Sequence, residues 1–105
     1  MGLRGEEHAR QLLRRAGYRI EAEQVSGRVR VRVDGKWEEF TVRADAMVRR
    51  RRRRYVVEIK AGQANASVAD RATRRQLLEY TRVFDVDGAL LVDVPGERIS
   101  RIEFE

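Results

Sequence analysis

Apolar and polar residues alternate along the chain with two different periods, and the changes of period divide it into elements. Residues 3–16 and 68–84 place their apolar side chains at helical spacing, which predicts two long helices. Gly17 ends the first of them, because glycine readily adopts the left-handed conformation found after a helix. The remaining segments alternate with a period of two, which is typical of strands.

Strands are predicted between and after the helices, with Asp34-Gly35 as a hairpin turn and residues 62–66 as a loop. The last strand is expected at a sheet edge. The order is α-β-β-β-α-β with a final strand, which predicts an α/β fold with a mixed sheet flanked by two main helices, in a single domain 1–105. The predicted strand segments are 18–22, 28–33, 37–42, the strand running from Asp45 through Val48, 55–60, 89–94 and 99–104.

The hairpin around the arginine run has a predicted register. If it turns at Arg51-Arg52, Asp45 lies directly opposite Glu58 on the neighbouring strand, and Lys60 shares their face. The other face is then wholly apolar, which places this hairpin in the middle of the sheet. Its predicted cross-strand pairs are Val48 with Tyr55, Ala46 with Val57, and Ala44 with Ile59.

Two carboxylates at that spacing should repel each other. A divalent cation between them would turn the repulsion into a binding site, and a lysine beside it could act on an attacking water. Asp45, Glu58 and Lys60 are therefore the candidate catalytic residues. Lys60 stands out further because all but two of the 23 cations are arginines.

Composition and charge limit which kinds of site, cellular location and binding partner are expected. The chain of 105 residues has no cysteine, which excludes disulfides and thiolate metal sites, and one histidine, which argues against a histidine-based site. No stretch of about 18 apolar residues occurs, so we expect no membrane association and a cytoplasmic location. A net charge of +6 favours a polyanion, with nucleic acid first.

Both predicted helices offer further site residues. Glu6 lies on the inward stripe of the first helix, where it either joins the carboxylates or only favours the positive end of the helix dipole. Gln76 and Tyr80, four residues apart, lie on the apolar face of the second helix. Because a buried amide needs a partner, Gln76 either holds a site group or caps a loop, and Tyr80 is either a site residue or core.

These elements together carry a family resemblance. A helix-start glutamate (Glu6), a strand aspartate (Asp45), the triplet Glu58-Ile59-Lys60 at a strand end, and Gln76-Leu77-Leu78-Glu79-Tyr80 on the next helix resemble the PD-(D/E)xK nuclease superfamily. The Gln-x-x-x-Tyr element is similar to its RecB-type branch, and Ala16-Gly17-Tyr18 to archaeal-type Holliday-junction resolvases. Ala44 stands where many members have proline.

The resemblance implies a restriction-endonuclease-like core and metal-dependent hydrolysis of DNA phosphodiesters in repair, recombination or processing. Mg²⁺ or Mn²⁺ would be bound by Asp45, Glu58, the main-chain carbonyl of Ile59 and Glu6, directly or through water. Lys60 would orient or deprotonate the attacking water, and Gln76 and Tyr80 would position the carboxylates or the DNA backbone.

Two arginine-rich surfaces are candidate DNA contacts. The predicted hairpin tip, expected above the site, either lies along a phosphate backbone or is an ordinary solvated end; it comprises Arg49, Arg50, Arg51, Arg52, Arg53 and Arg54. The stripe of Arg28, Arg30 and Arg32 is expected to be ordinary surface, partly neutralised by Glu38 or Glu39. Trp37 is expected in the core or in a dimer contact rather than as a base-stacking residue.

Three functions remain open from the sequence: an active nuclease, a nuclease-fold module that binds nucleic acid without turnover, and a small α/β protein whose Glu-x-Lys triplet is accidental. A junction resolvase needs a two-fold homodimer, because it cuts two strands symmetrically, whereas an end-processing enzyme does not. No residue decides between these two nuclease types.

Overall fold

Two helices lie on opposite faces of one five-stranded sheet in the computed structural model, which describes residues 3–62 and 66–105. In chain order the elements are α1 (Leu3–Arg15), β1 (Arg19–Val33), β2 (Lys36–Arg50), β3 (Arg53–Lys60), α2 (Arg71–Val83), β4 (Gly88–Asp93) and β5 (Arg98–Ile102).

The strands lie in the sheet in their chain order, β1-β2-β3-β4-β5. β3 and β4 are parallel and α2 connects them, while the other neighbouring strands are antiparallel. The predicted α/β fold, with a mixed sheet flanked by two helices, is therefore confirmed. The last strand lies at a sheet edge, as predicted, although it ends two residues earlier.

β1 and β2 form one long hairpin rather than the four short strands predicted. Their pairing continues from Arg19 opposite Arg49 to Val33 opposite Lys36, interrupted by a bulge between Ile20 and Ala22. The prediction divided each strand because the polar stretch in the middle of β1 breaks the alternation without breaking the pairing. The Asp34-Gly35 turn is confirmed, and both of its residues have positive φ, 51° and 81°.

α1 covers one face of the sheet with its apolar stripe. Ala9 and Leu13 are buried there against Val48, Val57 and Leu90. The helix ends at Arg15, and Gly17 follows with a φ of 91°, so the predicted end is confirmed.

α2 covers the other face, where Leu77 and Tyr80 pack with Met47, Val56 and Leu91. The helix begins at Arg71, three residues later than predicted. The Asp70 carboxylate accepts hydrogen bonds from the main-chain N–H and the hydroxyl of Thr73 and so caps the first turn. Of the predicted loop at residues 62–66, positions 63–65 lie outside the described residues.

The register of the β2–β3 hairpin is confirmed as far as Ala46 opposite Val57, and the predicted pair of Asp45 with Glu58 lies one position beyond the end of this ladder. The turn lies at Arg51-Arg52, with Arg51 at a φ of 58°, and the ladder runs from Arg50 opposite Arg53 to Ala46 opposite Val57. β3 lies at the centre of the sheet with a partner on each side.

One burial prediction is wrong, and one of the two alternatives for Trp37 is excluded. Ala44 lies in the cluster under α2, not beside Ile59 on the α1 face, because the β2–β3 ladder ends at Ala46 and β2 diverges from β3 there. Trp37 does not enter the core, and its place in a dimer contact stays a prediction. Its side of the β1–β2 hairpin extends past the end of β3, and the residue is 54% exposed.

Among the described residues, neither helix is long and apolar enough to cross a membrane.

Candidate functional site

The site forms where β2 diverges from β3. The main-chain N–H of Ile59 donates a 2.7 Å hydrogen bond to Oδ2 of Asp45, so a side chain takes the place of the next ladder acceptor. Because the N–H and C=O of one strand residue face the same neighbour, the Ile59 carbonyl also faces the Asp45 edge. The next carbonyl, that of Lys60, faces the opposite way and accepts a hydrogen bond from the N–H of Val94.

Glu58 is the buried carboxylate of this site, with an exposure of 7%. Burial raises the pKa of its carboxyl from 4.5 to about 7, and the neighbouring Asp45 carboxylate contributes to that rise. The side chains of Asp45 and Glu58 are close enough to interact through a hydrogen bond, and this adds to the rise in the pKa of Glu58. The two carboxylates are therefore close neighbours, as predicted, and near pH 7 the carboxyl of Glu58 is protonated in about half of the molecules.

Lys60 supplies the cation beside Glu58. Its Nζ lies 3.3 Å from Oε2 of Glu58, and about a third of its side chain is exposed. The ammonium group favours the ionised form of Glu58, but this effect is smaller than that of burial and Asp45. Lys60 thus contacts the buried carboxylate of Glu58 while part of its own side chain is accessible to solvent.

Tyr80 holds the other oxygen of Glu58 from α2. Its hydroxyl lies 2.8 Å from the carbonyl oxygen of Arg43 and 3.1 Å from Oε1 of Glu58, and it accepts a 3.0 Å hydrogen bond from Nε2 of Gln76. Burial and the Glu58 carboxylate raise the pKa of Tyr80, so it stays a phenol. The hydroxyl of Tyr80 has one proton, which it donates either to the carbonyl of Arg43 or to the carboxylate of Glu58. When Glu58 is protonated, its carboxyl can instead donate to the hydroxyl of Tyr80.

The structure therefore brings six of the predicted site residues together: Asp45, Glu58, Ile59, Lys60, Gln76 and Tyr80. Of the alternatives for the helix residues, Gln76 holds a site group rather than capping a loop. Tyr80 is both core, through its ring, and a site residue, through its hydroxyl.

Glu6 is placed differently. It lies on α1, where its carboxylate is 3.9 Å from Nη2 of Arg10. In the part of the chain that the structure describes, no three His, Cys, Asp or Glu side chains form a group that could hold a metal ion, so Glu6 does not complete a three-carboxylate site. Its role in metal binding stays a prediction.

The arginine tip lies at the opposite end of β3 from the carboxylates and not above them, so its predicted position is wrong. Arg53 and Glu58 are five residues apart along the strand, which corresponds to about 17 Å. Glu21 lies in the β1 bulge, where it has no partner residue on β2, and its carboxylate forms ion pairs with Arg49 and Arg54. The guanidinium of Arg50 packs over the ring of Tyr18. Within the tip, the arginines left exposed with neither a carboxylate nor an aromatic partner among the described residues are Arg51, Arg52 and Arg53.

One site feature carried no usable signal in the sequence. The carbonyl of Arg43 accepts a hydrogen bond as a main-chain group, and its position depends on where β2 leaves β3. Trp37 lies outside this site and is exposed beside two arginines.

Comparison with known proteins gives a fold and no family. The chain matches no protein-family profile and no curated protein by sequence. A solved structure described as "Crystal structure of SSO0001" is similar over 98% of this chain, with a TM-score of 0.68 and 22% sequence identity. This chain spans 48% of the length of that one, so the similarity supports the α/β fold alone.

Proposed function

We propose that this protein is a metal-dependent DNA nuclease of the PD-(D/E)xK type, with a restriction-endonuclease-like core. The observation that carries the proposal is the meeting of Asp45, buried Glu58 and Lys60 at the point where β2 leaves β3. Two carboxylates held this close are costly in a folded protein unless a cation or a proton is bound between them. A carboxyl of raised pKa beside a second carboxylate and a lysine is typical of catalytic sites.

The residues present fit a hard divalent cation. Mg²⁺ commonly takes one or two protein carboxylates and completes its shell with water and phosphate oxygens. Asp45 and Glu58 supply the carboxylates, and the carbonyl of Ile59 faces the same edge as a third oxygen. A bound Mg²⁺ or Mn²⁺ would supply Lewis-acid activation of a phosphodiester and charge for its transition state.

The side chains and main-chain groups around the carboxylates would position them and the attacking water. Tyr80, itself held by the amide of Gln76, fixes one oxygen of Glu58 and so sets the direction of its carboxylate. Lys60, partly exposed beside the other oxygen, is placed to hold the attacking water and to take part in its deprotonation. The N–H of Ile59 orients Asp45 without occupying its second oxygen.

The substrate follows from charge. A net charge of +6 and an exposed arginine tip favour a polyanion, and a phosphodiester is the bond that this kind of site hydrolyses. A RecB-like end-processing activity and a junction-resolving activity both fit the site, and the second requires a homodimer.

A second candidate, a nuclease-fold module that binds nucleic acid without turnover, is favoured by one observation. Glu6 pairs with Arg10, and the described residues contain no three-carboxylate group. Such a module would keep the basic surface and show no cleavage with either metal.

Cleavage assays separate these functions. Labelled single-stranded, linear duplex, flap and four-way-junction DNA are incubated with Mg²⁺ or Mn²⁺ and with wild type, Lys60→Ala or Lys36→Ala. Lys36, the only other lysine, lies at the start of β2 and controls for the loss of one positive charge. We expect Lys36→Ala to cleave like wild type and Lys60→Ala to be slower by about 10²-fold or more.

If wild type cuts none of these DNAs with either metal, the binding module replaces the nuclease. If Lys60→Ala cuts as fast as wild type, the role assigned to Lys60 is wrong.

A further inference from the structure

The β1–β2 hairpin continues past the end of β3 as a two-stranded ribbon. The β2–β3 ladder ends at Ala46, whereas β1 and β2 stay paired to Val33 opposite Lys36. We define the ribbon as residues 28–41. A two-stranded ribbon is marginally stable alone, so this one depends on its continuation into the sheet.

The two faces of the ribbon differ in chemistry. One face carries Val29, Val31, Val33 and Phe40 together with Lys36 and Glu38, and Val29 joins it to the cluster under α2. The other face carries an aromatic ring among charged groups. Its members are Arg28, Arg30, Arg32, Trp37, Glu39 and Thr41.

Trp37 is held in place and still accessible. The guanidinium carbons of Arg30 and Arg32 lie 4.4 Å and 5.0 Å from the centre of its ring, which is cation–π distance. More than half of the residue nevertheless remains exposed, at 54%. A ring fixed by neighbours loses little conformational entropy on binding a ligand.

Charge on this face favours an anion. Glu39 pairs with both Arg28 and Arg30, at 3.8 Å and 3.2 Å, so one carboxylate is shared by two arginines. Arg32 has no carboxylate partner among the described residues, and Arg43 continues the exposed basic series toward the root of the ribbon. Three arginines against one glutamate leave the face positive.

We propose that the Trp37 face of the ribbon is a binding site for single-stranded DNA, in which Trp37 stacks on an unpaired base and Arg30 and Arg32 contact the adjoining phosphates. Flat aromatic rings beside arginines bind single strands in this way, with little sequence preference. The site lies eight residues along β2 from Asp45, about 26 Å away, so it is separate from the carboxylates. The inference rests on the proposed function only in taking DNA as the polymer.

A duplex or a second protein copy fits this face less well. The bases of a duplex are stacked on each other and offer no free ring face away from the ends. Two copies meeting through this face would bring positive charges together, whereas the face with Val31 and Phe40 is the one suited to self-association.

Trp37 is the only tryptophan, so its fluorescence reports on this site alone. The full chain is titrated in EDTA, where no metal-dependent cleavage occurs, with oligo-dT, oligo-rU and a blunt duplex. We expect oligo-dT to quench the emission and the duplex to leave it nearly unchanged. Binding is measured in parallel from the anisotropy of a labelled oligo-dT.

Two variants at matched positions give the energetic test. Trp37→Ala should bind oligo-dT about 5- to 100-fold more weakly, and Trp37→Phe should retain most of the affinity because it keeps a ring. Phe40→Ala removes an equally exposed ring, at 53%, from the opposite face and should bind like wild type.

Several outcomes would overturn the inference. Oligo-dT binding without quenching, or unchanged binding by Trp37→Ala, places the single strand elsewhere. Tighter binding of oligo-rU makes RNA the ligand. Emission that depends on protein concentration instead of DNA makes a second copy the partner. Because these titrations need no turnover, absence of cleavage in the nuclease assay overturns the proposed function and leaves this result standing.

Discussion

The carboxylate of Asp45 accepts the main-chain N–H of Ile59 across the gap where the β2–β3 ladder has ended. This single hydrogen bond explains why a charged side chain is kept between two central strands. It satisfies a strand N–H that would otherwise have no ladder partner, and it holds the carboxylate beside Glu58. The same residue is thus structural and, in the proposed nuclease, functional.

Substitutions at Asp45 should separate these two roles. Asp45→Asn keeps an oxygen that can accept from Ile59, whereas Asp45→Ala does not, and both remove the charge. We expect the asparagine variant to be more stable than the alanine variant by about 1–3 kcal/mol, and neither to cleave DNA. Urea unfolding at pH 8 measures the difference, and equal midpoints would show that the hydrogen bond to Ile59 contributes nothing.

The raised pKa of Glu58 makes the stability of the fold depend on pH. Because the folded pKa of about 7 lies above the unfolded value of 4.5, the folded state binds more protons in this window. Stability is therefore present in full below about pH 4.5, falls as pH rises to 7, and is level above. The loss is on the order of 3 kcal/mol.

Glu58→Gln removes this titration. We expect the variant to match wild type near pH 4.5, to be more stable at pH 8 without metal, and to be inactive in cleavage. Denaturant unfolding across this pH range measures it, with Glu39→Gln on the exposed ribbon as the control. Parallel pH profiles for wild type and Glu58→Gln would contradict the buried carboxyl pair.

The hydroxyl of Tyr80 links α2 to β2, through the carbonyl of Arg43, and to β3, through the carboxylate of Glu58. Tyr80→Phe leaves the carbonyl of Arg43 and the amide of Gln76 without this partner, and we expect it to lower the free energy of unfolding by about 1–2 kcal/mol. Gln76→Ala, at a half-buried position, should cost less. Thermal unfolding compares the two, and a larger loss for Gln76→Ala would make the amide, and not the hydroxyl, the main link between α2 and the site.

The exposed part of the arginine tip has a measurable signature if it contacts DNA. The logarithm of DNA affinity falls linearly with the logarithm of salt concentration, with about 0.9 of slope for each phosphate that the protein neutralises. Replacing Arg51, Arg52 and Arg53 by glutamine should therefore make this slope shallower by up to about 2–3. Arg54→Gln is the control, because Glu21 already pairs with that arginine. Duplex binding measured from about 50 to 200 mM salt gives both slopes, and an unchanged slope for the triple variant would remove the tip from the interface.

The hairpin register was predictable because it depends on local chemistry. Turning at Arg51-Arg52 determines which residues face each other, and the structure confirms the pairs from Arg50–Arg53 to Ala46–Val57. Extending that register by one position brought Asp45 near Glu58, although the ladder itself ends before this pair. The spacing of Gln76 and Tyr80 placed both on one helical face but left open whether they join the site, and the packing of α2 decided that they do.

Where strands end was not predictable in the same way. Alternation in β2 runs on without a change at Ala46, so the pattern gave no reason for Ala44 to pass to the α2 side or for Trp37 to leave the core. Both depend on β3 being shorter than β2, which is a property of two segments together.

The sequence by itself therefore determined the order of helices and strands, the central hairpin and the pairing of a buried carboxylate with a lysine, because periodicity, turn chemistry and spacing act over a few neighbouring residues. Only the tertiary structure decided that Asp45 caps a broken ladder, that the arginine tip lies far from the carboxylates, and that Trp37 is exposed on a ribbon. These features depend on how far each strand extends beside its neighbour, and burial across the whole sheet sets that extent.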